Sequence, residues 1–224
     1  MTPRIDRQLN ALGVAKQCAA MGARVRTIRH LTGLPAREVL HLLFPDRQSV
    51  PRGRPPDSPE WYHGANLLYR AEASILMSVY CRLRNAGFSA TEGLVGAYRH
   101  YAGICCPPRR ISFDRAFDLA AHTDGLWLTE ERAFAVVTCQ FCASEFLAAN
   151  GSTASASDEC PFCRLLQRYG TDQRVQSSFP VRPMMNPSSV HLGMLALLRR
   201  RPAYKPSVTV TEAVASPPHH YNRI

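Results

Sequence analysis

Cys139-Gln-Phe-Cys142 and Cys160-Pro-Phe-Cys163 decide how the second half of this chain is built. Seventeen residues lie between the two pairs, the spacing of a four-cysteine zinc site. Each CxxC closes a tight knuckle, and two knuckles offer four thiolates to one ion. Zn²⁺ has a filled d shell and no geometric preference to oppose a tetrahedron. The competing readings, four ordinary buried cysteines or two disulfides, are disfavoured because the double spacing is so restrictive. Four thiolates leave no open position for water or substrate. One Zn²⁺ on Cys139, Cys142, Cys160 and Cys163 is therefore expected to be structural rather than catalytic.

Working outward, Ala133-Phe-Ala-Val-Val-Thr138 reads as a strand entering the first knuckle, and Glu145-Phe-Leu-Ala148 as a strand leaving it. Asn150-Gly-Ser-Thr-Ala-Ser155 reads as a turn. Residues 133–170 are thus expected to form a zinc ribbon. Beyond Tyr169 the composition turns rich in Pro, Ser and Arg, and only Val190 to Arg200 keeps a helical pattern. Residues 171–224 are expected to be a basic, largely disordered tail.

Residues 1–132 read as helices, so the fold class is mainly α. A helix is expected from Asp6 to His30, with Leu9, Leu12, Ala15, Ala19 and Ala23 on one face, stopped at Thr32-Gly33. Pro35 suits the first turn of a second helix, with Val39, Leu42 and Leu43 as its apolar side and Pro45 as its end. A long helix is expected to start at Ser58-Pro59 and stop at Gly87, burying Trp61, Ala65, Leu68, Ile75, Val79 and Leu83. Ser89 and Glu92 form a capping box for the next. Ser112 caps another, with Phe113, Ala116, Phe117 and Ala120 inward and Asp124-Gly125 at its end. Cys18 and Cys81 read as small core residues, and Trp61, Tyr98 and Tyr101, at helical spacing, as core aromatics.

The two helices around Gly33 resemble a helix-turn-helix, with Val25, Ile28, Leu34, Val39 and Leu42 as its small core and Arg37 and His41 outward. Arg29 stands where a small residue is usual, so a plain helical hairpin with a solvated basic face competes with a DNA-reading unit. The Pro51-Arg-Gly-Arg-Pro55 loop suits an A·T-rich minor groove, or is a solvated linker with chance arginines. Net charge is +10, and Arg outnumbers Lys by 25 to 2. The excess sits at the ends: +5 over residues 1–60 and +5 from 171, against +1 and −1 between. A nucleic-acid partner is favoured, and the candidate DNA contacts are Arg24, Arg26, Arg29, Arg37, His41, Arg47, Arg52 and Arg54.

An enzyme is not expected. None of the eight histidines is followed two residues later by Glu, as a zinc deaminase needs, and HExxH, Walker A and GxSxG are absent from the sequence. Met1-Thr-Pro-Arg-Ile-Asp6 lacks a signal-peptide pattern, and no long apolar run suits a membrane, so a cytoplasmic setting is expected.

The order of features resembles the FlhC subunit of the bacterial flagellar transcriptional activator. The resemblance rests on Ala19-Ala-Met-Gly-Ala-Arg24, the turn and second helix from Leu34 to Phe44, and Ser58-Pro-Glu-Trp61. It continues through Gly93-Leu-Val-Gly-Ala-Tyr98-Arg-His-Tyr101, Arg115-Ala-Phe117 and both knuckles, spanning residues 8 to 168. It implies a cytoplasmic DNA-binding activator that joins an FlhD-like subunit in a hetero-oligomer, binds promoter duplex DNA upstream of flagellar operons and recruits RNA polymerase. It also implies zinc on Cys139, Cys142, Cys160 and Cys163. Two features depart from it: Ala143-Ser144 replaces the Gly-rich step usual after the first knuckle, and the tail after 170 has no counterpart. The alternatives are a zinc-ribbon protein–protein adaptor and a diverged paralogue regulating non-flagellar genes.

Overall fold

The computed structural model describes residues 3–46, 48–51, 53, 58–105, 107–150 and 160–178, all within one compact unit, Met1–Pro180. Of these residues 61% are helical and 6% lie in strands, so the chain is mainly α. The order is α1 (Pro3–Ala20), α2 (Val25–Thr32), α3 (Ala36–Leu43), α4 (Glu60–His63), α5 (Leu67–Asn85), α6 (Ala90–Ile104) and α7 (Phe113–Asp124). The strands β1 (Phe134–Thr138) and β2 (Glu145–Ala149) follow, then α8 (Pro161–Tyr169) and α9 (Gln173–Ser177).

The helix expected over Asp6–His30 is two helices. Gly22 takes φ 80°, a left-handed conformation that costs glycine little, and Ala23 N–H closes the turn on Cys18 O at 3.0 Å. The apolar period runs on through this break, which is why periodicity alone joined the two halves. Gly33 does end α2 in the left-handed region, its N–H on Arg29 O at 2.8 Å. Pro35 sits at the N-cap of α3, one place earlier than expected. Ile28, Leu34 and Val39 are buried as the sequence suggests, but Leu42 is 51% exposed. Leu43, four residues on from Val39, is the closer match to its face, and Phe44 closes the cluster instead.

The long helix expected from Ser58 is also divided. Ser58 Oγ accepts from Glu60 N–H, starting the single turn α4. A fresh start at Asn66, whose side chain accepts from Tyr69 N–H at 3.1 Å, begins α5. The stripe expected there is displaced: Leu68, Ile75, Val79 and Leu83 are half-buried, whereas Ala73, Leu76, Met77 and Tyr80 are buried completely. The reason is that α5 is central. It packs on α6 and α7 and also on β2 and α8, so it has no single apolar face for a period to reveal. The capping box of Ser89 and Glu92 and the Ser112 cap with left-handed Gly125 form as read.

The antiparallel pair β1–β2, Phe134 opposite Ala149 and Thr138 opposite Glu145, carries the first knuckle in its turn. The pair is sewn to the helices. Phe134 and Leu147 belong to the main core, Tyr62 O–H donates to Leu147 O at 2.7 Å, and Ser74 Oγ accepts from Leu147 N–H at 3.1 Å. Burying two such side chains contributes roughly 3–6 kcal/mol, enough to hold the hairpin against α5. Residues 171–178, assigned by composition to the tail, include α9, capped by Asp172. The helical stretch expected at 190–200 lies outside the described residues.

Candidate functional site

The four cysteines arrive from two elements. Cys139 and Cys142 lie in the turn joining β1 to β2. Cys160 is the N-cap of α8, Pro161 its first residue, and Cys163 lies in its first turn. The four sulfurs lie within 4.8 Å of one another, with Cys139 Sγ 3.7 Å from Cys163 Sγ and Cys142 Sγ 3.8 Å from Cys160 Sγ. A disulfide needs about 2.05 Å, so these are free thiols. A tetrahedral ion bonded to sulfur at about 2.3 Å puts its ligands roughly 3.8 Å apart. The cluster therefore fits a metal ion by distance as well as by chemistry.

The surroundings polarise the thiols. Ser144, through its hydroxyl and its backbone N–H, pulls Cys142 down to about 6. Contact with Cys142 is the main cause that pushes Cys163 up to about 12, and burial raises Cys160. The turn needs a left-handed residue at Ala143, φ 57°, to bring the Ser144 N–H onto the sulfur. Here Ala accepts a conformation that glycine adopts freely. The ribbon has its own small core of Cys139, Phe146, Ala148 and Cys160.

The candidate DNA contacts divide into three groups. Arg26, Arg29, Arg37 and His41 are exposed on α2 and α3. Arg26 and Arg29, after burial, help lower the pKa of His30, which marks this surface as electropositive. Arg24 instead turns inward, 3.5 Å from Asp114 Oδ2, while its backbone N–H donates to Asp114 Oδ1 at 3.1 Å. Arg47, Arg52 and Arg54 lie outside the described residues. Gly53 between the last two is described: a Cβ placed on it would lie 3.3 Å from Arg24 Nη2.

Two features escaped the sequence reading. The Arg115 guanidinium stacks over the rings of Trp61 and Tyr69, 4.9 and 5.4 Å from their centroids. These residues edge a 170 Å³ pocket with Ala65 and Asn66. Trp61 showed only helical spacing, and nothing local marks a partner 54 positions away. The second feature is an apolar groove of 530 Å³ where α5, the end of α6 and α8 meet, lined by Leu68, Ile75, Ile104, Phe162 and Leu165. Among the described residues no helix is long and apolar enough to cross a membrane. No family model matches the chain, and no curated protein matches it.

Proposed function

We propose that the chain is a DNA-binding transcriptional activator of flagellar operons, acting with an FlhD-like subunit in a hetero-oligomer that recruits RNA polymerase. The observation that carries this reading is the α2–α3 pair. Two eight-residue helices joined through a left-handed glycine bury Ile28, Leu34 and Val39 beneath exposed Arg26, Arg29, Arg37 and His41. A basic outer face on a small rigid core suits a phosphate backbone. The resemblance to the FlhC subunit supplies the regulon and the partner. Residues 4–10 of α1 are exposed, with Ile5 at 50% and Leu9 at 55%, apolar surface that a partner subunit would cover.

The ion on the four cysteines is zinc in this reading, because an all-thiolate tetrahedron suits Zn²⁺ and has no open position for chemistry. It holds the second knuckle and α8 to the hairpin. No catalytic role is assigned to it.

The test is a gel shift on a flagellar promoter fragment, with the protein alone and with its co-purified partner, with and without a zinc chelator. Specific binding that needs both partner and metal is expected. Affinity should fall with log salt by about 0.9 per phosphate contact, and Arg37→Glu should lower both affinity and slope. An unchanged slope in that variant would remove α3 from the DNA surface. A pair that associates yet prefers no DNA would favour the adaptor reading, for which the 530 Å³ groove is the natural docking place.

A further inference from the structure

We infer that Arg115, held between Trp61 and Tyr69, is a phosphate clasp that extends the DNA surface beyond α2 and α3. This rests on the DNA-binding reading above.

The starting point is how differently this arginine is used. Arg24, Arg82, Arg84 and Arg110 each sit on a carboxylate, Asp114, Glu145, Asp124 and Glu72 respectively, at 2.5 to 3.5 Å. Arg115 sits on two aromatic faces and, among the described residues, on no carboxylate. An aromatic face attracts the cation without neutralising it, so the guanidinium keeps its charge and its N–H donors for a ligand. The rings are themselves anchored: Trp61 Nε1–H donates to Asp118 Oδ2 at 2.6 Å, and Tyr69 lies in the first turn of α5. The pocket beside them has room for one phosphate group and its waters.

Position argues for a polyanion over a lone acidic side chain. The residue before Arg115 is Asp114, buried, which takes the Arg24 N–H and the Thr27 hydroxyl. That carboxylate bolts the start of α7 to the start of α2, the helix that carries Arg26 and Arg29. Gly53 also lies close to Arg24, whose Nη2 would be 3.3 Å from a Cβ placed on it. Arg115 thus follows a carboxylate that is already engaged by α2, so the acid beside it in sequence does not compete for its guanidinium. The α2 helix fastened to this end of α7 carries the exposed Arg26 and Arg29.

The test uses the full chain with its co-purified partner on the promoter fragment and on competitor duplex, over a salt series. Arg115→Gln is expected to weaken both complexes equally, since phosphate contacts carry no sequence information. The loss should be roughly tenfold, typical of a charge-assisted hydrogen bond, with the salt slope smaller by about 0.9. Arg115→Lys should keep the slope and lose affinity, because lysine has no planar fork to stack. Tyr69→Leu, which removes one ring and no charge, should lose less in the same direction; it keeps the test open if Arg115→Gln folds poorly. Wild-type affinity in all three variants, on DNA the wild type binds specifically, would overturn the clasp and leave the activator reading standing. Failure of the wild type to bind DNA with a salt slope would overturn both. Weakened association with the partner at unchanged DNA affinity would give the guanidinium to a protein carboxylate and overturn the clasp.

Discussion

Among the described residues, four carboxylates are satisfied by one recipe, a hydroxyl and an arginine on the same group. Glu72 takes Tyr101 O–H and Arg110, Asp114 takes Thr27 and Arg24, Asp124 takes Tyr80 and Arg84, and Glu145 takes Ser78 and Arg82. The recipe has electrostatic consequences: the Ser78 hydroxyl, with Arg82 behind it, holds the Glu145 carboxyl below the usual glutamate range. A depressed folded pKa stabilises the fold above the unfolded value, about 4.3, and that contribution is lost as pH falls through the folded value. Ser78→Ala should therefore be less stable than wild type at pH 7 and lose less on acidification, so that the two converge toward pH 3, read as urea midpoints between pH 7 and 3. An identical pH profile would mean that the hydroxyl contributes nothing to the shift. None of these pairings was legible beforehand, because the partners lie 29 to 90 positions apart and nothing local marks one member for the other. The four-cysteine cluster was legible because its chemistry is written in a local spacing that few other structures need.

At the scale of elements, what was read well was likewise what is decided within four residues. The capping box of Ser89, the Ser112 cap and the left-handed ends at Gly33 and Gly125 are all local hydrogen-bonding problems. What was misread were continuities: helices at Gly22 and Gly64 stop although the apolar period carries on, and the buried face of α5 is set by neighbours on opposite sides. The two left-handed glycines give a graded prediction. A Cβ on Gly33 meets nothing within 4 Å, so Gly33→Ala should cost only the backbone term, about 1–2 kcal/mol. A Cβ on Gly125 would lie 2.7 Å from Glu130 O, so Gly125→Ala must also move the chain that leads into β1. It should cost clearly more than Gly33→Ala in chemical denaturation, and equal costs would show that this segment yields freely.

For the whole molecule, the decisive fact is that the hairpin is fastened to the helical core independently of its sulfurs, through Phe134, Leu147, Tyr62 and Ser74. Cys160→Ser should therefore release metal and unravel the knuckles and α8 while the middle of β2 stays protected. Hydrogen exchange resolves the two: loss of protection in α8 with retention at Leu147 is expected, and simultaneous loss would show one cooperative unit. The reason α8 goes first is its length. Nine residues are far too few for an isolated helix in water, and its N-cap is Cys160, one of the four clustered thiols. An ion held on the cluster would therefore also fix the start of α8. Phe162 and Leu165 of that helix form one wall of the 530 Å³ groove, and the other wall stands on α5 and α6. The groove is therefore a conditional surface: apoprotein and metalloprotein would share the same basic face on α2 and α3 yet display different hydrophobic ones, so that metal supply would govern what can settle there without touching the helices that carry the arginines.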